Sequence, residues 1–434
     1  MISGLILLLA ALAAQPLPMV FLFPEDIGDA DDVRIEAQCP AEFRTLVPQD
    51  AAQPKLWYYP VAAMGKDGAV AVWYQRVNKG EKEYSDQRTL CMGLLDGAGW
   101  HLPNLHPGAP AWGGPDNVVL RRSPVPPTWG GFNVFQIVRE KDRHRMLYWD
   151  QPEQGNAGAL LAESNDGILW TKAPRGTVFT EFNDAFTLLP AGEGYLLYQT
   201  ALEEWPEKPY PDNLDKKRRI LTLRESKDLV EWTPQAPMLR PDQEDPPETE
   251  FYLMKAFPYG RGYAGLIMKY FADPAKPKQH SALLKTELIV STDARQWRRP
   301  FRATDLGFWT YAEPFAYKGQ CCFVVWHDNS LQLAAYPAHG LTAATAEGDG
   351  TFITGEFAYP AEGLQVHAAG KDGWVEAELL DTAKQPVAQC ARHRVEHPDG
   401  TALLLPWKTA PGAACRVRFH LHDARVFALS AAAR

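Results

Sequence analysis

"SNDGILW", Ser164 to Trp170, decides the fold because it recurs: "SKDLVEW" (Ser226 to Trp232) and "STDARQW" (Ser291 to Trp297) repeat its S-x-D-x-x-x-W pattern, and a looser "LDGAGW" (Leu95 to Trp100) precedes all three. The four aspartates, Asp96, Asp166, Asp228 and Asp293, stand about 60 to 70 residues apart, a spacing too long for the common helical repeats and long enough for a four-stranded sheet with loops. In such a turn the aspartate caps the backbone N–H groups and the tryptophan packs between neighbouring sheets. The motif is therefore expected to brace a scaffold and not to carry chemistry.

Between the turns lie short runs rich in β-branched and aromatic residues, bounded by Gly, Pro and Asp, with no sustained helical period. They read as antiparallel strands in a common order. Blade one is "LWYYPVAAM", "AVAVWYQRV" and "TLCMGLLDGAGW"; blade two is "NVFQIV", "MLYWD" and "ALLAES"; blade three is "DAFTLL", "YLLYQT" and "RILTLRES". Blade four is "EFYLMKAFPY", "RGYAGLIMKY" and "LLKTELIVS", and blade five begins near Tyr311 to Tyr317 and continues through "CCFVVWHD" and "LQLAAYP". Blade five lacks an Asp turn and an outer strand of its own, so "MVFLFPEDI" or "DVRIEAQ" from the N-terminal stretch is expected to complete it and close the ring. After "HGLTAATAEGDG" (His339 to Gly350) come short alternating strands consistent with a β-sandwich. The expected fold is all-β: a closing segment over residues 15–54, a five-bladed β-propeller over 55–340 and a C-terminal β-sandwich over 351–434.

With 434 residues, 46% hydrophobic, 11% aromatic and 22% charged, the chain has ample apolar surface for two cored domains. Its 44 Lys and Arg against 53 Asp and Glu give a formal charge of −9, which argues against nucleic acid as a partner. Ile2 to Ala14 is an apolar run of signal-peptide length with the small residues Ala11 to Ala13 near its end, although its n-region carries no Lys or Arg. Residues 1–14 are thus expected to be a signal peptide and the mature chain to be secreted or periplasmic, and no other stretch is apolar enough to span a bilayer as a helix. The six cysteines have no metal-ligand spacing; Cys390 with Cys415 is a candidate disulfide.

The turns, the bladed region and the following sandwich pattern together resemble the five-bladed glycosidase propellers, the group around glycoside hydrolase families 32 and 43. A nearer similarity is to secreted glycosyl-hydrolase-like proteins of environmental bacteria, carried by "DNVVL" (Asp116 to Leu120), "NVFQIV", "SNDGILW" and "RVRFHLHDARVFAL". The resemblance spans nearly the whole mature chain, and its motifs specify fold better than reaction. It implies three carboxylates projecting into an axial funnel from the heads of innermost strands: one protonated to donate to the leaving oxygen, one ionised to attack or activate water, and one tuning the pair.

Carried onto this chain, the resemblance points to Asp184 in "FNDAF" as the tuning aspartate and Glu250 in "ETEFY" as the general acid, with Glu313 in "AEPF" at blade five. Blade one, where the family places its base or nucleophile, begins "KLWYYPVA" without a carboxylate, and blade two has Asn133 at the corresponding place. Either Asp116, in the loop before, or Glu313 takes the place of that base, or the site is remodelled or inactive. Other members of the acidic run "DQEDPPETE" read as solvated. Trp112, Trp129 and Trp309 sit in loop-like sequences where an indole can stack on a sugar face, although most of the 14 tryptophans must be packing residues. His327 is either a substrate contact or a satisfied inner-strand histidine. By analogy a calcium ion would sit at the funnel centre, but no D-x-D-x-D-G loop argues for one, and no other cofactor or metal is expected.

Three functions compete. A glycoside hydrolase acting on polysaccharide or oligosaccharide uses the strand-head acids. A non-catalytic carbohydrate-binding propeller explains the missing blade-one aspartate. A protein-contact scaffold explains the fold but leaves those acids without a role. Oligomeric state is not readable.

Overall fold

The computed structural model describes residues 17–49, 56–66, 68–78, 87–105, 117–125, 131–173, 176–180, 183–272, 282–407 and 414–432. The segment assigned as a signal peptide, and with it Asp116, Trp112 and Trp129, lies outside the described residues. The chain is all-β: among the described residues the helical segment is the single 3-10 turn Pro24–Asp26. It divides into two compact units, Cys39–Pro258 with Gly262–Tyr336, and Met1–Gln38 with Tyr259–Arg261 and Pro337–Arg434.

The first unit is a five-bladed β-propeller. Blade one is Leu56–Lys66, Ala69–Asn78, Gln87–Asp96 and Gly99–His101, with Val118–Arg121 added beside the third strand. Blade two is Asn133–Glu140, Arg143–Asp150, Gly158–Ser164 and Thr171–Lys172, and blade three is Phe186–Ala191, Gly194–Glu204, Lys217–Ser226 and Ala236–Leu239. Blade four, Thr249–Tyr259, Gly262–Ala272 and Ala282–Ser291, keeps only a bridge between Val290 and Arg298 where its fourth strand would run. Blade five is Phe315–Tyr317, Gln320–His327 and Ser330–Pro337, completed by Glu42–Val47 from the N-terminal stretch. The two stretches expected to fill that place go elsewhere: Met19–Val20 and Arg34–Ala37 pair with strands of the other unit, and the run nearest the propeller in sequence, Glu42–Val47, takes the edge.

Blade sheets are buried on both faces, so their strands read as nearly continuous apolar runs. Along Gly194–Glu204, Leu197 joins the core shared with blade two, while Leu196 and Tyr198 on the other face join the core shared with blade four. Complete burial of a side chain such as Leu197 contributes about 1.5–3 kcal/mol. Phe135, Ala185, Leu253 and Tyr311, from four different blades, form a further apolar cluster with the half-buried Tyr59, Tyr252 and Trp309.

Each Asp turn is built alike. Asp166 Oδ1 accepts from the N–H groups of Ile168 and Leu169 at 2.7 and 2.9 Å, and Ser164 Oγ accepts from Gly167 N at 2.9 Å. Asp228 and Asp293 make the same pairs of bonds at 2.8 to 2.9 Å. The residue after each aspartate is left-handed: Gly167 at φ 77°, Leu229 at 67° and Ala294 at 60°. That turns the carbonyl toward the preceding blade, where Trp73 Nε1 donates to Gly167 O at 2.9 Å and the Tyr198 hydroxyl donates to Ala294 O at 2.7 Å. Trp170, Trp232 and Trp297 pack on the cores between successive blades.

The second unit is one nine-stranded hydrogen-bonded sheet. Its long strands Thr342–Thr354 and Arg416–Ala431 run side by side, and their register shifts between Ala346 and Asp349. At that bulge Gly348 and Asp423 both take positive φ, and Gly348 N donates to Asp423 Oδ1 at 2.7 Å. Beyond it Trp374–Leu380 pairs with residues 416–422, whereas Leu364–Ala369 pairs with 425–431, and both groups contribute to a single core. His339 to Gly350, read from sequence as a boundary, lies largely within the strand Thr342–Thr354, because its small alternating residues suit a strand edge-on to this core. Cys390 and Cys415 both lie in that core but are not joined as a disulfide.

Candidate functional site

Register sorts the two ends of every blade. In blade three Phe186 pairs with Gln199 and Ala191 with Gly194, so the head of the inner strand lies beside the end of the second strand, opposite the turn at Ser226. Asp184 and Glu250 therefore share the head end, and the repeated aspartates occupy the other.

Asp184 is half-buried just before the blade-three inner strand. Its Oδ2 accepts from the Asn133 side-chain amide and from Gly131 N at 3.5 Å, while Arg88, from the head of the third strand of blade one, donates to Asn133 Oδ1 and to Phe132 O. Blades one, two and three thus meet through a guanidinium, an amide and a carboxylate. Gly131 permits this approach, since a Cβ there would lie 3.2 Å from Arg88 Cζ. Burial pushes the Asp184 carboxyl above the usual carboxylate range, against the pull of the Arg88 charge and the hydrogen bonds it accepts. Asp184 in turn adds to the effect of burial in raising the Tyr252 hydroxyl.

Blade one offers aromatic rings in place of a carboxylate. Trp57 and Tyr59 sit two residues apart on its inner strand and meet Trp326 at 5.8 and 6.1 Å between ring centroids. Tyr59 meets Trp309 at 5.1 Å, and Trp309 meets Tyr311 at 5.3 Å. Trp57, Tyr59 and Trp309 remain half-buried, so the wall they form keeps part of its surface exposed at the head end. A backbone bridge between Trp309 and Trp326 holds its blade-five side.

Glu250 has a different setting. Its side chain is 0% exposed, enclosed by Lys208, Tyr210 and Arg219 at 2.7 to 2.9 Å, with Arg219 N at 3.1 Å. Burial opposes its charge, but Arg219 and Lys208 outweigh that and hold the carboxyl below its usual range. A group so held stays ionised, whereas a proton donor needs the reverse. The acidic run before it is paired as well: Arg299 donates to both oxygens of Asp245 at 2.5 and 2.6 Å, and Arg302 pairs with Asp242 at 2.6 Å.

Glu313 accepts from Lys255 Nζ at 3.0 Å. That ammonium is fully buried and also donates to Gln136 Oε1 at 2.7 Å and Leu188 O at 3.1 Å. Burial lowers the Lys255 amine and Glu313 opposes the change. Lys255 follows the apolar Leu253 along the inner strand of blade four, and Glu313 lies just ahead of the inner strand of blade five. His327 is stacked on Phe43 at 3.9 Å and bonded through Nδ1 to Gly307 O at 2.7 Å, the arrangement of a satisfied packing histidine. Among the described residues no cluster of three His, Cys, Asp or Glu side chains could hold a metal ion.

The structure thus joins Asp184 to Asn133, brings Trp309 into an aromatic wall near them, and gives Glu250, Glu313 and His327 other partners. Sequence reasoning passed over Arg88, Trp57, Tyr59, Tyr252 and the Lys208–Asp212 pair. A search of third-strand heads and of alternate aromatic residues in "LWYYP" would have found the first three. Two clefts, of ≈ 490 and ≈ 660 Å³, open at the turn end, one bordered by Asp96 and Tyr317 and the other by Tyr195, Trp232 and Arg295.

No protein-family profile matches the chain, and no curated protein does. Solved structures similar to it include a Bombyx mori glycoside hydrolase family 32 β-fructofuranosidase, at 11% identity and TM-score 0.43, over 89% of this chain and 93% of that one. A glycosyl hydrolase from Bacteroides ovatus matches at 14% identity and TM-score 0.44, over 70% of this chain and 94% of that one. The β-1,2-mannobiose phosphorylase of Listeria innocua matches at 8% and 0.43, over 68% and 96%.

Proposed function

We propose that this chain is a glycoside-hydrolase-like propeller that binds a neutral saccharide at the head end of its ring. The observation that carries the reading is the pairing of a half-open aromatic wall, Trp57, Tyr59 and Trp309, with the polar group Asp184, Asn133 and Arg88. Ring faces suit the apolar faces of sugars, and carboxylate, amide and guanidinium groups suit their hydroxyls. The net charge of −9 favours a neutral ligand over a polyanion. Residues 1–14 are read as an export signal, which would place the encounter in the periplasm or outside the cell. The second unit is read as a two-layer sandwich whose halves share the strands Thr342–Thr354 and Arg416–Ala431.

Hydrolysis is the second reading, favoured by the raised Asp184 carboxyl, which suits a proton donor. It takes Asp116 or Glu313 as the partnering base and leaves Glu250 outside the proton transfer.

Calorimetric titration with a panel of neutral oligosaccharides tests both. At least one sugar is expected to bind the wild type, and Tyr59→Ala with Trp309→Ala is expected to weaken it by about tenfold or more. Equal affinity of the double variant, or no binding across the panel, removes the first reading. Release of reducing ends by the wild type but not by Asp184→Asn would establish the second.

A further inference from the structure

Residues 205–216 join the second and third strands of blade three and hold no strand of their own, yet a closed set of charges ties them to the head of blade four. Lys208 Nζ donates to Glu250 Oε1 at 2.8 Å and to Lys217 O at 2.7 Å, and pairs with Asp212 at 2.7 Å. The Tyr210 hydroxyl donates to Glu250 Oε1 at 2.9 Å. Arg219 reaches Glu250 Oε2 at 2.7 Å with one terminal nitrogen and Asn213 Oδ1 at 3.0 Å with the other. The side chains of Lys208, Asp212, Arg219 and Glu250 are 3%, 2%, 4% and 0% exposed. Two cations balance two anions, and such a set persists only while complete.

The same guanidinium continues toward the site. Arg219 Cζ lies 4.4 Å from the Tyr270 ring centre and 5.6 Å from that of Tyr252, and the two rings are stacked at 16°. Tyr210 and Trp205 from the loop pack on this pair. Tyr252 packs in the same cluster as Ala185, next in the chain to Asp184, and its hydroxyl feels the Asp184 charge. A chain of contacts therefore runs from Glu250 through Arg219 to Tyr252 and the neighbourhood of Asp184.

We propose that Glu250 is a positioning residue: it fastens the loop 205–216 to blade four and holds Arg219 against Tyr252 and Tyr270, and so sets the tyrosine beside Asp184. Its effect on saccharide binding rests on the reading above, but the fastening itself does not.

Trypsin reads the fastening directly at Lys216, which is followed by Lys217 at the end of the loop, whereas the Lys208–Pro209 bond is not a tryptic site. In Glu250→Gln, cleavage there is expected to accelerate about tenfold or more, with the near-ultraviolet tyrosine dichroism reduced and the far-ultraviolet spectrum retained. Tyr210→Phe, which removes one hydroxyl and keeps every charge, is the variant to use should Glu250→Gln fail to fold, and a smaller acceleration of the same kind is expected. Arg219→Lys keeps the charge but loses the planar stack, and it should reproduce the loss of tyrosine dichroism. Wild-type cleavage rates and tyrosine signals in Glu250→Gln and Tyr210→Phe overturn the proposal whatever the sugar result. Where a sugar binds, weaker binding by Glu250→Gln, in step with loop cleavage, supports it. Lost turnover with unchanged cleavage, dichroism and affinity would instead make Glu250 an acid catalyst and overturn it. If no sugar binds, the functional reading fails while cleavage and dichroism still decide the fastening.

Discussion

The heads of blades three and four present the same chemical group in opposite settings. Asp184 leans on an amide and a distant guanidinium, stays half-buried and has its carboxyl raised. Glu250, at the equivalent place one blade on, is sealed between two cations and has its carboxyl lowered. A propeller delivers carboxylates to its mouth by strand position, but the partners reaching in from loops and third strands decide what each can do. A carboxylate whose charge is already neutralised contributes cohesion; one whose charge is poorly matched remains available to a ligand.

The largest expected effect breaks the Glu250 side of this contrast. Glu250→Gln leaves Lys208 and Arg219 buried with half their counter-charge and should cost about 3–5 kcal/mol in chemical denaturation. Asp184→Asn, by contrast, should leave stability unchanged or raise it at neutral pH while weakening ligand binding, as expected of a group kept for function at some cost to the fold.

Acid titration turns the contrast into a sign. A carboxyl lowered by folding, as in Glu250, stabilises the chain above its unfolded value, about 4.3, and that contribution is lost as pH falls through the lower folded value. A raised carboxyl, as in Asp184, destabilises the chain at neutral pH, and the penalty disappears as pH falls through its folded value. Melting temperatures from pH 7 to 3 should therefore show both variants converging on wild type in acid, Glu250→Gln from below and Asp184→Asn from above. Convergence from the same side would end the comparison.

At the turn end the contrasts are smaller. Gly167→Ala places a Cβ 2.5 Å from Trp73 Cζ2 at a left-handed position and should cost about 1–3 kcal/mol. Ala294→Gly, at the matching place in blade four, should gain no more than about 1 kcal/mol. Thermal melts of the pair show whether the ring contact or the backbone angle governs the turn.

Strands and turns were legible because their signals are local: a short run such as "YLLYQT", buried on both faces and bounded by Gly, and an aspartate two and three residues ahead of the N–H groups it caps in "SKDLVEW". The site was legible only where it follows from strand position, as for Asp184 and Asn133, or from an aromatic in a loop-like stretch, as for Trp309. Arg88 escaped because it enters from a third strand, and Lys208 because it lies in an irregular loop more than 40 residues from its partner. The run "DQEDPPETE" read as solvated because its counter-ions, Arg299 and Arg302, are more than 50 residues away. The division between the units falls at Pro337, near the propeller end read at residue 340, but the first strand of the second unit starts at Thr342, ahead of Thr351, because its small alternating residues carry little hydrophobic contrast.

The outer strand of blade five has a temporal consequence. Glu42–Val47 leaves the ribosome long before its partner Ser330–Pro337, and Arg34–Ala37 likewise precedes Thr342–Thr354. Both early segments must wait for about three hundred residues of synthesis, so contact order is high and final closure should be slow. Once Ser330–Pro337 has been made, its edge is a template for pairing between chains until Glu42–Val47 covers it, which makes the docking of a short N-terminal strand the step that separates the folded chain from aggregate.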